Sequence, residues 1–260
     1  MQQIRKVCGL IVGLCLLCAA SGRVCGAVGY NFQEYHGNGS TDGTVVSKGT
    51  LQLSNNLYTV RANFINGGGS FVENLVVYID CAPGGFTSTA PFSENSTALE
   101  RSVTGNGTPS RSTANFAPGF EADYAIALGV NSGSAIYKLV NDATGPHLEL
   151  VTTSLSFGPT DNPNRGSFSF QFDWAYIGLP NRETNFFKFE STYIMSTGFR
   201  TLESFEGLTG TRGFGSVTFT NYDTYGVPPV PENTNVALIV FGGLVLTVGA
   251  GKRFRKFLSR

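Results

Sequence analysis

From Ser167 to Ile177 the chain reads SFSFQFDWAYI, and this alternation constrains the fold more than any other feature. Successive side chains of an extended strand point to opposite faces. Phe168, Phe170, Phe172 and Trp174 therefore share one face, and Ser169, Gln171 and Asp173 share the other. One face belongs to a core and the other to a polar surface, the pattern of an antiparallel sheet wetted on one side. Thr184 to Met195 repeats it, with Phe187, Phe189, Ser191 and Tyr193 on one side.

Other period-2 segments lie between clusters of Gly, Asn, Pro and Ser. Strands are predicted over Leu57–Ile65, Phe71–Asp80, Ala122–Val130, Ala135–Val140, Leu148–Phe157 and Gly215–Tyr222. Asn66-Gly67-Gly68-Gly69-Ser70 suits a hairpin loop between the first two. In NLVVYID both alternating sets are apolar, which suits a strand in the middle of a sandwich. Residues 82–115, rich in Ser, Thr, Gly, Asn and Pro, read as a long surface excursion with a short helix around Ser93–Arg101. Asp161 to Gly166 is a strong turn signal. No alternation of strand and helix at βαβ spacing appears. The expected fold is all-β: an antiparallel β-sandwich or jelly roll of about ten strands.

The two ends carry a different message. Arg5 and Lys6 precede an apolar run from Val7 to Ala20, shorter than the roughly 20 residues that span a bilayer. Small residues follow, and Cys25-Gly26-Ala27 fits a signal-peptidase site after Ala27, with cleavage after Gly22 as the rival. Residues 1–27 are thus expected to be a signal peptide, and residues 28–226 the exported body. At the other end, VPPVPENTN (227–235) leads into an apolar run, Val236 to Gly251, predicted as a transmembrane helix. Lys252, Arg253, Arg255, Lys256 and Arg260 follow. They would hold residues 252–260 in the cytoplasm by the positive-inside rule.

This order of Pro-rich spacer, short apolar helix and basic tail resembles the bacterial PEP-CTERM sorting signal. In that family a Pro-Glu-Pro motif precedes the helix, and an exosortase cuts nearby to release or transfer the protein. Val230, Pro231 and Glu232 occupy that place here, with Asn233 where the family has its second proline. The resemblance is confined to positions 227–260 and implies two partners in turn, signal peptidase and an exosortase-like enzyme. It also implies a destination: membrane-anchored with residues 28–235 outside, then the cell surface or extracellular matrix. A permanent single-pass anchor is the alternative.

Charge and cysteine counts change once the ends are set aside. Of 18 acidic residues 17 lie between 28 and 227, against 10 of the 18 basic ones, so the body carries about −7. Such a body does not seek nucleic acid or anionic lipid. Four of the five cysteines fall in the signal, leaving Cys81. It follows an apolar strand and reads as a buried small hydrophobe. Two histidines, His36 and His147, sit in turn-like sequence, and no metal site or cofactor is expected.

Catalysis finds little support: no G-x-S-x-G elbow occurs, and acid pairs such as Asp173 with Glu190, or Glu121 with Asp123, arise easily in so acidic a body. No catalytic residues are expected. Asp173, Trp174, Tyr176 and Tyr193 are the candidates for a sugar-stacking platform, since aromatic rings offer flat apolar faces beside polar edges. The function expected is structural or adhesive, with exopolysaccharide or matrix components as partners; the alternative is a carbohydrate-binding module at the cell surface.

Overall fold

The computed structural model describes residues 32–107, 109–155, 157–159, 166–180 and 185–226. The expected signal peptide with Ala27, the motif Val230-Pro231-Glu232, the apolar run 236–251 and the basic Lys252, Arg253 and Arg255 lie outside these residues. Among the described residues no helix is long and apolar enough to cross a membrane.

The described chain is all-β, built mostly of antiparallel sheets. A five-stranded sheet consists of β1 (Gln33–His36), β2 (Thr50–Asn55), β3 (Thr59–Ile65), β10 (Ser167–Asp173) and β9 (Gly158–Pro159), in the order β1-β2-β3-β10-β9. A six-stranded sheet runs β14 (Asp223–Gly226), β11 (Phe186–Ile194), β4 (Asn74–Asp80), β6 (Tyr124–Gly129), β7 (Gly133–Asp142), β8 (Gly145–Thr152). A small third sheet joins β12 (Leu208–Gly210) and β13 (Ser216–Phe219) to β5 (Thr113–Asn115), the last pairing parallel.

Alternation decides which side chains make the core. In β10, Phe168, Phe170 and Phe172 are buried, while Ser169 and Gln171 are exposed. They join Leu51, Leu53, Val60 and Phe64 of the same sheet and Leu75, Val77, Ile79, Phe187 and Phe189 of the six-stranded sheet in one apolar cluster. Val76 and Tyr78 of β4 point the other way, into a second cluster with Val103, Phe116, Phe120, Val217 and Phe219. All seven residues of β4 are buried, as its doubly apolar sequence predicts. Each fully buried Phe contributes roughly 1.5–3 kcal/mol relative to exposure.

Several sequence expectations shift. The strand from Ser167 stops at Asp173, and Trp174–Ile177 forms a 3₁₀ turn. The turn folds the indole inward, where its Nε1–H donates to Asn56 O at 3.2 Å, and Gly178 closes it at φ 71°. Asn66–Ser70 does not make a hairpin, because β3 and β4 belong to different sheets; the glycines serve a crossover instead. β6 and β7 do make a hairpin, with Gly129 opposite Gly133.

The 82–115 excursion holds one helix, α1 (Ala98–Thr104), displaced toward the C-terminus from the expected position. Its start is fixed by a capping box: Thr97 Oγ1 accepts from Glu100 N at 3.1 Å and Thr97 N donates to the Glu100 carboxylate at 2.9 Å. Such reciprocal caps contribute about 1 kcal/mol. Gly105 ends the helix at φ 71°, where a Cβ would lie 2.3 Å from Ser112 O, so only glycine fits.

Candidate functional site: the outer face of the five-stranded sheet

Strand register turns the polar halves of β2, β3 and β10 into an ordered array. Ser54, Arg61 and Gln171 stand in one row across the sheet, and Gln52, Asn63 and Ser169 in the next. Glu34 of β1 extends the second row, opposite Gln52. The rows are tied laterally: Asn63 Nδ2 donates to Gln52 Oε1 at 3.1 Å, Gln52 Nε2 to Glu34 Oε2 at 2.8 Å, and Arg61 Nε to Gln171 Oε1 at 3.1 Å. A shallow cleft of about 390 Å³ opens over the six of these side chains that β2, β3 and β10 supply, and Phe32, 60% exposed, forms part of its wall.

The chemistry of this surface is specific. Carboxamides present a donor and an acceptor in one plane, hydroxyls present both on one atom, and the single guanidinium has its Nε committed to Gln171. Lateral bonding holds the array in place, which lowers the entropy lost when a ligand is bound. Hydroxyl-rich molecules carry donors and acceptors of the matching kind, and an exposed aromatic ring is the kind of surface on which apolar C–H groups can pack.

The residues singled out from sequence fall elsewhere. Trp174 is fully buried and stacks on Tyr225 with ring centroids 6.2 Å apart. Tyr193 is buried in the core, its hydroxyl accepting from Val72 N and Glu73 N. Both are core residues, correcting their candidacy as a platform, because their rings supply volume that the two sheets must fill. Tyr176 is half-buried against the same cluster. Asp173 alone lies on the polar side of β10, at its end and opposite Thr59. Asp173 and Glu190 belong to different sheets and make no pair.

Of the polar members of the cleft, Ser169 and Gln171 are the second half of the β10 alternation and Arg61 and Asn63 lie in the expected strand Leu57–Ile65, whereas Gln52 and Ser54 lie on β2, for which the sequence carried no expectation. Nor was Phe32 expected, since an isolated aromatic before a four-residue strand carries no periodic signal. Asp123 proves structural: its Oδ2 accepts from Cys81 N and Ala82 N, both at 2.8 Å, fixing the exit of β4. Cys81 itself is half-buried and donates to Ile177 O at 3.1 Å. Burial pushes its thiol up, the opposite of a reactive thiolate. Among the described residues, no three His, Cys, Asp or Glu side chains converge as metal ligands.

Buried polar groups concentrate along β11 instead. Ser191 N and Oγ both donate to Glu206 Oε2 at 2.8 Å. Glu203 Oε2 accepts from Val46 N at 2.7 Å and Ser47 N at 3.1 Å, anchoring the loop before β2. Arg200, fully buried, donates from Nη2 to Tyr78 Oη at 2.9 Å and Val103 O at 3.1 Å. Burial raises the carboxyls of Glu190 and Glu206 to about 9 and about 8 respectively.

Fold and site together define an all-β protein with one sheet face left polar and open. No family model matches the chain, and no curated protein matches it either.

Proposed function

We propose that this chain is an exported, C-terminally sorted protein of the bacterial cell surface or extracellular matrix, with a structural or adhesive role and no catalysis. Its body is a β-sandwich, a reading supported by the apolar cluster that the five- and six-stranded sheets share. The observation that carries the proposal is the tripartite ending: Pro-rich spacer with Val230-Pro231-Glu232, the apolar run 236–251, and the basic tail. Signal peptidase and an exosortase-like enzyme act on it in turn. The test is intact mass spectrometry of the protein from membrane and medium fractions of its host. A mature form beginning near Val28 and ending at Pro231–Asn233 is expected. Retention of Lys252–Arg260 in all fractions overturns processing and leaves a plain anchor.

The second reading, a carbohydrate-binding module, is favoured by the amide-lined cleft with Phe32 on its wall. Its ligand class is a neutral polysaccharide, because the face balances Glu34 against Arg61 and offers no cluster of cations for an anionic one. Affinity electrophoresis in gels containing soluble neutral glucan or mannan is expected to retard the protein. Phe32→Ala and Arg61→Ala should each weaken retention at least several-fold. No retardation by either glycan removes this reading and leaves the structural role standing; unchanged retardation of both variants moves binding away from the cleft.

A further inference from the structure

The carboxylate that fixes the exit of β4 also faces a second pocket. Asp123 stands immediately before β6 and, with Leu139 and Asn141 of β7, lines a cavity of about 410 Å³. Gly85–Ser88 and Pro91 form the rest of its wall. That volume lies within the roughly 300–1,000 Å³ of small-ligand sites. Leu139 N donates to Asp123 O at 2.8 Å, and strand alternation puts Asn141 on the same face of β7 as Leu139.

Both walls are held in place. Phe86 N donates to Ala122 O at 3.0 Å and Ala122 N to Phe86 O at 2.8 Å, tying the 85–88 segment to the chain next to Asp123. Gly85 permits this approach: its φ is 124°, and a Cβ there would lie 2.7 Å from Glu121 O. The Phe86 ring is braced by Phe92, with centroids 4.5 Å apart. On the other side, the N–H groups of Cys81 and Ala82 fix the orientation of the carboxylate through Oδ2. A site already set in this way loses little freedom when it takes a ligand.

Charge selects what that ligand can be. Among the described residues no Lys, Arg or His forms an ion pair with Asp123. Burial raises its carboxyl above the usual range, with the two N–H bonds working against the rise, so a cation in the pocket would stabilise the ionised form. A metal ion would find one carboxylate here, too few anionic ligands to hold it. A plain alkylammonium would leave the Asn141 carboxamide and the Thr87 and Ser88 hydroxyls unused. A cation that also carries hydroxyls uses all four groups.

We propose that this pocket binds an amino sugar, with its ammonium against Asp123, its ring hydroxyls on Asn141, Thr87 and Ser88, and its C–H face on Phe86 and Leu139. The pocket belongs to the six-stranded sheet and carries an unbalanced negative charge, whereas the cleft on the five-stranded sheet is balanced by Glu34 and Arg61. The inference is therefore independent of the neutral-polysaccharide reading and of how the chain ends are processed.

The test is calorimetric titration of the full-length protein at pH 6 with glucosamine, N-acetylglucosamine and ethanolamine. Glucosamine is expected to bind, and the uncharged N-acetylglucosamine to bind more weakly by on the order of tenfold, the worth of one charge-assisted hydrogen bond. No binding of glucosamine, or equal binding of the two sugars, overturns the proposal. Ethanolamine binding as tightly as glucosamine overturns the sugar assignment, since its single hydroxyl cannot use the amide and both hydroxyls. Asp123→Asn keeps an oxygen for the Cys81 and Ala82 N–H groups and removes the charge, so glucosamine affinity should fall by a similar factor. Should that variant fail to fold, Thr87→Ala combined with Asn141→Ala replaces it. Both side chains are exposed, so the melting temperature should hold while affinity falls several-fold. Full affinity in either variant places binding elsewhere and overturns the proposal.

Discussion

A carboxyl group taken out of water holds its proton longer, and Glu206 is the clearest case in this protein. Burial raises it to about 8, the nearby Asp223 charge adds to the rise, and the hydrogen bonds from Ser191 oppose it. In the unfolded chain the same group ionises near 4.5. Between those values the folded state keeps a proton that the unfolded state releases, so rising pH favours unfolding. The stability concerned is fully present below about pH 4.5 and is lost as pH climbs toward 8. The loss runs at about 1.4 kcal/mol per pH unit for one such group. Glu190 acts with the same sign, up to about 9. Urea denaturation at pH 6 and pH 8.5 is expected to show a markedly lower midpoint at the higher pH. Glu206→Gln, uncharged at both, should narrow that difference; an unchanged difference would exclude Glu206 as its source. None of this was legible in the sequence, where Glu190 stood out only as a neighbour for Asp173 and Glu206 looks like any of the 18 acids. Alternation placed Ser191 on the core face, but the carboxyl that meets it there comes from a loop 15 residues away.

At the level of elements, legibility follows length and periodicity. β10, β4 and β11 could be read because they bury an apolar set at every second position over seven residues or more. β1 and β14, four residues each, are too short to establish a period. The Gly-rich Asn66–Ser70 signalled a turn correctly but not its destination, since partner choice depends on contacts distant in sequence. β8 adds a feature that only structure reveals. It is the edge strand of the six-stranded sheet and exposes Leu150 (54%) and Val151 (37%). That is the profile of an aggregation-prone edge. Three local devices blunt it. Pro146 has no N–H to offer, and Glu94 Oε1 accepts from Leu148 N at 2.8 Å. A bulge at Val151 interrupts the ladder between Leu150 and Thr152. Glu94→Ala releases the Leu148 N–H beside the two exposed apolar side chains. Light scattering after size exclusion is expected to show more self-association for this variant than for wild type at equal concentration, with little change in the thermal midpoint. Monomer throughout would mean that the bulge and Pro146 suffice.

The molecule as a whole hangs on β4 and β11, neighbours in the six-stranded sheet that send side chains into both apolar clusters. Whatever weakens their pairing therefore acts on the entire body. Two kinds of contact join them. Lys188 Nζ lies 2.9 Å from Asp80 Oδ2 across the two strands, with the side chains 27% and 11% exposed. A pair of this exposure contributes only about 1 kcal/mol or less. Phe189, fully buried and opposite Ile79, belongs to the apolar cluster the sheets share, and truncating a buried Phe to Ala costs about 3–5 kcal/mol. For a body of this size each kcal/mol corresponds to about 2–4 °C in the melting temperature. Calorimetry is therefore expected to place Phe189→Ala on the order of 10 °C below wild type and Lys188→Met within about 4 °C of it. A loss in Lys188→Met as large as that in Phe189→Ala would mean that charge, not packing, holds the two strands together.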